Sequence, residues 1–205
     1  TFRLQPSGFI SFIGAILIGL GAWAFAHEAF VIADAMGIGG LSDKQIAGAE
    51  ATVAKMRETS PLLLIAVFAL TPAVIEELCF RGYLFSAIRG AVSPLRTVVI
   101  TALLFGLFHV LTGSALLVER FVPSTLMGLI IGWVAYRTGS VFPGIVIHFV
   151  HNGLLNTVLY YQDQLSFLGA GFDDKTHLPP LWLAISASLV MVGAVMIWAS
   201  SRKHV

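Results

Sequence analysis

Three charges stand within six positions of an otherwise apolar stretch, Glu76-Glu77-Leu78-Cys79-Phe80-Arg81. On a helix Glu77 and Arg81 are one turn apart in acid-first order and can pair with each other. The same pair also reads as a buried salt bridge that only fixes packing. Glu76 points about 100° further round the helix axis and must find its partner on another element. An unpartnered carboxylate at membrane depth costs several kcal/mol, which makes it a functional candidate by default. His109 follows in Phe105-Gly106-Leu107-Phe108-His109, with Phe105 one turn back on the same face. A lone histidine in a membrane helix also serves as a simple helix-to-helix hydrogen bond. His148 and Asn152 are four apart and share a face, His151 can join them or turn elsewhere, and Asn156 extends the Asn152 face by one turn.

A carboxylate and a histidine in one buried, water-accessible site can act as general base and general acid. A second histidine with an asparagine can donate hydrogen bonds to a developing oxyanion. Together Glu76, His109, His148 and Asn152 would hydrolyse an amide bond with no covalent nucleophile. Cys79 has no base beside it and is assigned to packing, and neither Thr112 nor Ser114 has a partner that would make it a nucleophile. No cofactor is needed for this chemistry. The alternative makes Glu76, His109 and His148 ligands of a catalytic zinc with one position open, although the chain has no His-Glu-x-x-His motif.

The elements that must position these groups follow from composition. Of 205 residues 57% are hydrophobic and 11% charged, against about 25% charged in an average soluble domain. The expected fold class is all-α, a multi-pass transmembrane bundle with the site inside it, and the lipid bilayer is the first partner. A net charge of +1 supplies no basic excess for phosphates, so nucleic acid is excluded as a partner. One cysteine excludes an internal disulfide framework. Apolar stretches at 8–33, 61–86, 97–118, 121–138, 141–162 and 180–200 come close to the roughly 20 residues a span needs. The fourth is short and bracketed by Arg120 and Arg137, as snorkelling flanks would be. Met36 to Ser60 reads as a polar loop with an amphipathic helical portion, and Asp163 to Pro180 as a second polar connection. Thr71-Pro72 reads as an N-cap with proline at the first helical position, so a break or kink is expected there. There is no internal repeat. The whole chain, 1–205, is one integral-membrane domain with a catalytic core at 61–162. It begins at Thr1 with no charged leader, and the expectation is a piece of a longer polypeptide.

Six crossings put both termini on one side. The terminal side then holds Arg3, Arg89, Arg96, Arg137, Arg202 and Lys203, and the other side Lys44, Lys55, Arg57, Arg120 and Lys175. The margin is narrow, and the acids Asp34, Asp43, Glu50, Glu58, Glu119, Asp163, Asp173 and Asp174 all fall on the second side. Both termini are accordingly expected in the cytoplasm. Counted from the terminal side, Glu76 is about 15 Å deep, His109 about 18 Å, His148 about 10 Å and Asn152 about 16 Å. Polar groups from three helices can therefore meet at one level.

Glu76-Glu77-x-x-x-Arg81, Phe105-x-x-x-His109 and His148-x-x-x-Asn152, in this order on successive spans, resemble the three motifs of the CPBP family, the CAAX-protease and bacteriocin-processing intramembrane proteases. The resemblance covers about residues 62–161. It implies an all-helical membrane core whose site opens toward the cytoplasm, in an integral protein of a prokaryotic cell membrane. It also implies an endopeptidase acting on a membrane-associated protein or peptide, prenylated at a CAAX cysteine in the eukaryotic branch. Carried over, Glu76 and His109 activate water and His148 and Asn152 hold the oxyanion. Glu77, Arg81 and Phe105 support them, with Arg81 orienting the glutamates. His27, Glu28 and His151 match no motif. The reading from a different class is a non-catalytic membrane module or transporter-associated domain whose polar cluster only holds helices together.

Overall fold

A computed structural model describes residues 3–38, 43–112, 118–165 and 176–201. Asp173, Asp174, Lys175, Arg202 and Lys203 of the charge tally, and Ser114 among the excluded nucleophiles, lie outside the described residues. The described residues are mostly helical, with no strand among them. Among the described residues six helices are long and apolar enough to cross a membrane: α1 (Phe9–Ala35), α3 (Pro61–Ile88), α4 (Pro94–Leu111), α5 (Val118–Thr138), α6 (Phe142–Tyr160) and α7 (Pro180–Ser200). The amphipathic portion expected in the first polar loop is α2 (Asp43–Arg57). The fourth span gains length from a 3-10 turn at Val118–Arg120 that precedes Phe121. The third is shorter than expected at its far end, closing at Leu111 where the Thr112 hydroxyl turns back to the Phe108 carbonyl.

Lipid tails are as apolar as leucine, so these helices associate by close packing rather than by escape from water. Small residues allow it. On α1 and α7, a Cβ added at Gly14 would lie 2.7 Å from the Gly193 carbonyl oxygen, and one at Gly21 would lie 2.6 Å from that of Ser186. Between α4 and α5 the backbone of Gly128 approaches Ala102 just as closely, 2.9 Å from a built Cβ to Ala102 Cα. The interior is completed by Ala15, Ile18, Ala22, Met127, Ile131, Val134, Ile147 and Ile197.

Pro72 neither breaks α3 nor follows a capping threonine. Pro72 has no N–H to give the helix, and the chain meets that loss with a π-helical turn, Ala66–Leu70, ahead of it. The Thr71 N–H and hydroxyl both go to the Ala66 carbonyl, the hydroxyl at 2.8 Å. A second π-helical stretch, Leu78–Leu84, follows the two glutamates. Glu76 and Glu77 thus sit in one short α-helical piece between two wider turns.

The residues before α1 cover the terminal face. Arg3, at φ 50°, donates from Nη2 to the Ala135 carbonyl at 2.7 Å, and its guanidinium lies over the Phe85 ring at 4.9 Å. Burial, and after it the charge of Arg89, lower its pKa to about 10. At the opposite face Glu28 accepts 2.7 Å bonds from the Leu178 N–H and from His177 Nδ1, and His27 Nε2 donates to the Thr176 carbonyl at 2.8 Å. This clasp ties the start of α7 to α1 and accounts for two of the three span residues without a motif, His27 and Glu28.

Candidate active site

Glu77 is the centre of the buried electrostatics. It is 0% exposed, and its Oε1 accepts from Arg81 Nη1 at 2.8 Å and from His148 Nδ1 at 3.0 Å. Arg81, also 0% exposed, donates from Nη2 to the Gly128 carbonyl at 3.0 Å, and its guanidinium stacks 4.5 Å from the Phe105 ring centre. One carboxylate therefore joins α3 to α6, and one guanidinium joins α3 to α5 and α4. Arg81 orients Glu77 directly, whereas no hydrogen bond of Arg81 reaches Glu76 among the described residues.

The route of α6 past Glu77 depends on Gly144. A Cβ there would lie 2.9 Å from Ile131 Cγ2 and 3.3 Å from Glu77 Oε2. Neither neighbour can withdraw, since both are fully buried. Gly144→Ala is expected to cost about 1–3 kcal/mol, the usual range for overpacking a close contact. Thermal unfolding in detergent measures it, and an unchanged midpoint would mean that α6 has room to shift.

Glu76 is placed differently. Its Oε2 is 3.6 Å from His109 Nε2 and 3.9 Å from His148 Nε2, and it is buried with no hydrogen-bond partner among the described residues. The outer nitrogens of both imidazoles are already engaged. His109 Nδ1 donates to the Phe105 carbonyl at 2.9 Å, and His148 Nδ1 donates to Glu77. A carbonyl and an ion-paired carboxylate can only accept, so each Nδ1 carries the proton. In the neutral rings both Nε2 atoms then present a lone pair toward Glu76. Phe105 holds the two rings in place from one side, 4.5 Å from His109 and 5.8 Å from His148 between ring centres. Among the described residues no group of three or more His, Cys, Asp or Glu side chains is disposed to hold a metal ion.

Glu76, His109 and His148 thus come together from three helices, with Glu77, Arg81 and Phe105 packed behind them. Asn152 stands one turn beyond His148, half-buried. Its side-chain amide bonds to nothing among the described residues, while its carbonyl accepts from Asn156 Nδ2 at 2.8 Å. His151 is buried, with no partner for its Nδ1 among the described residues. Cys79 is an exposed free thiol rather than a packing residue, because it lies on the side of α3 turned away from the bundle.

Two features escaped the sequence reading. One is the bond of Glu77 to His148 across 71 positions; the i,i+4 spacing pointed only to Arg81. The other is Gly144, whose one available signal was a glycine four residues before a candidate histidine.

Residues 58–154 match the family model described as Rce1-like, type II CAAX prenyl endopeptidase. No curated protein and no solved structure matches the chain. All of the motif residues from Glu76 to Asn152 fall inside the matched stretch. Residues 58–154, just under half of the chain, are thus similar to the Rce1-like type II CAAX prenyl endopeptidases, within a bundle whose described residues include six helices long and apolar enough to cross a membrane.

Proposed function

We propose that the chain is an intramembrane endopeptidase that hydrolyses a peptide bond of a membrane-associated protein or peptide, the CAAX-type prenylated peptide being the first substrate to try. Glu76 and His109 activate the water, and His148 and Asn152 face the oxyanion. The observation that carries this reading is the unpartnered Glu76 Oε2 between two imidazole Nε2 atoms at 3.6 and 3.9 Å. Separations beyond hydrogen-bond length leave the carboxylate oxygen free to accept from a water placed beside the two rings. A water there gives its proton to Glu76, its oxygen attacks the scissile carbonyl, and the proton passes to the leaving amine nitrogen, with His109 as the other proton carrier. With its Nδ1–H committed to Glu77, His148 donates to the oxyanion from Nε2 as the imidazolium, whose charge the Glu77 carboxylate meets.

The test is cleavage of prenylated and unprenylated CAAX-type peptides by purified protein in detergent. His109→Ala is expected to lower the rate by about 10²–10⁴-fold, the usual contribution of a positioned acid–base group, with unfolding unchanged. Undiminished cleavage would sink the proposal. Assay in chelator, with metal analysis, separates water activation by Glu76 from the zinc alternative, in which Glu76, His109 and His148 would be ligands and activity would return only with added zinc. We also propose cytoplasmic termini, on the loop charges, and a prokaryotic cell membrane, on the resemblance alone.

A further inference from the structure

We propose that water and polar chain reach the Glu76 site from the membrane face that carries α2, along one face of α6, and that the Arg57–Asp163 ion pair closes the outer end of this route. The layers on either side of the site differ sharply. Toward the terminal face, Glu77, Arg81, Phe85, Thr97, Thr101, Ile131 and Pro143 are each less than 2% exposed. The two threonine hydroxyls in that layer are spent on carbonyls of their own helix. Behind the layer Arg3 is buried against Ala135 and Phe85, its carbonyl accepts from the Val141 N–H, and Ser140 donates to the Gln5 carbonyl. Among the described residues that layer is closely packed, although Arg3 behind it also keeps two buried donors, Nε and Nη1, without a partner.

The other side is open by degrees. The Glu76 and His109 side chains are 16% and 20% exposed, and Thr112, just past His109, is exposed. On α6 the residues at successive four-residue steps are His148, Asn152, Asn156 and Tyr160, a polar stripe on a helix whose other polar side chains are His151 and Thr157. The stripe leads from the site to the face carrying α2. Ionisable residues turned inward in a membrane bundle mark substrate or ion routes, and His148 stands at the inner end of this stripe. At its outer end Asn156 and Tyr160, with Val53 and Met56 of α2 and Leu64 of α3, enclose a chamber with about 10 Å³ open to a water-sized sphere, about enough for one water. Arg57 closes it. Its carbonyl accepts from the Tyr160 hydroxyl at 3.3 Å, and its Nη1 meets Asp163 Oδ2 at 2.8 Å. Its Nε and Nη2 are buried and have no hydrogen-bond partner among the described residues, which leaves two donors for water.

This sidedness has a consequence for topology. Termini in the cytoplasm and a site open to the cytoplasm, both expected from sequence, are mutually exclusive if the route runs to the α2 face.

The experiment is thiol labelling in sealed vesicles of known orientation, using a charged, membrane-impermeant maleimide on variants in a Cys79→Ser background. Lys55→Cys reports the α2 face, Gly90→Cys the terminal face, and Leu155→Cys a lipid-facing position of α6. Asn156→Cys is expected to react from the face on which Lys55→Cys reacts and from that face only, with Leu155→Cys inert. Thr112→Cys provides a second probe of the route should Asn156→Cys fail to fold. Adding Arg57→Ala is expected to quicken labelling at position 156 several-fold. Labelling from the Gly90 face, or none from either face while both controls react, would overturn the route; an unchanged rate with Arg57→Ala would overturn its closure. The readout is chemical and needs no cleavage, so it stands or fails separately from the peptidase reading.

Discussion

Glu76→Gln is expected to lower peptide cleavage by about 10²–10⁴-fold, as loss of a general base does, while leaving the protein as stable as before or slightly more so. The two halves of this result come from one feature of the structure. Glu76 Oε2 accepts no hydrogen bond among the described residues, so the substitution gives up no packing interaction there. It also removes a half-buried carboxylate whose charge the membrane interior disfavours. Glutamine keeps the shape, so His109 and His148 retain their orienting bonds to Phe105 and Glu77. Only the ability to take a proton from water is lost. A residue kept for structure would behave the other way, with stability falling and activity falling because of it. The check is cleavage rate beside thermal unfolding in the same detergent. Activity retained, or lost only in step with stability, would remove Glu76 from the mechanism and favour the reading of the cluster as helix glue.

The neighbouring glutamates show how far the sequence could be read. Helical geometry alone separated them, giving Glu77 to Arg81 and leaving Glu76 for another helix, and the structure keeps that division. The meeting of Glu76, His109 and His148 was legible because spans have fixed rise and alternating direction, so depth follows from counting. Direction within the site was not legible. Which acceptor takes each Nδ1–H decides where each Nε2 points, and those acceptors are a backbone carbonyl on the same helix for His109 and a carboxylate 71 positions away for His148. The π-helical turns were equally hidden, since Pro72 permits a break, a kink or a bulge, and the choice rests on what packs around it. The absence of a neighbouring base assigns Cys79 to packing, but it says nothing of which side of α3 is covered, and the structure leaves the Cys79 side exposed. Glu28 and His27 could not be explained without their partners in the chain before α7, about 150 positions on.

The largest effect on stability is expected at Glu77. Arg81 has no contact with solvent and keeps one other acceptor, the Gly128 carbonyl, if the carboxylate goes. Glu77→Gln therefore leaves a guanidinium charge uncompensated in the interior, and breaking a buried pair from one side typically costs about 3–5 kcal/mol. Stacking on Phe105 at 4.5 Å does not replace a counter-ion, being worth about 2 kcal/mol when desolvated and already present in the parent. Removing both charges is expected to be far milder. Glu77→Leu with Arg81→Met fills similar volume with apolar atoms and restores most of the lost stability, because buried pairs and well-packed apolar replacements are often nearly equal in free energy. Activity should not follow. His148 Nδ1 still lacks its acceptor in the double variant, so its ring is free to turn and its Nε2 is no longer held toward Glu76, which for an orienting carboxylate costs about 10–100-fold. Thermal unfolding of the two variants, set against their cleavage rates, separates the roles. A Glu77→Gln protein as stable as the parent would show that Arg81 is charge-balanced by something else, and a double variant that regained cleavage with stability would show that Glu77 serves packing alone.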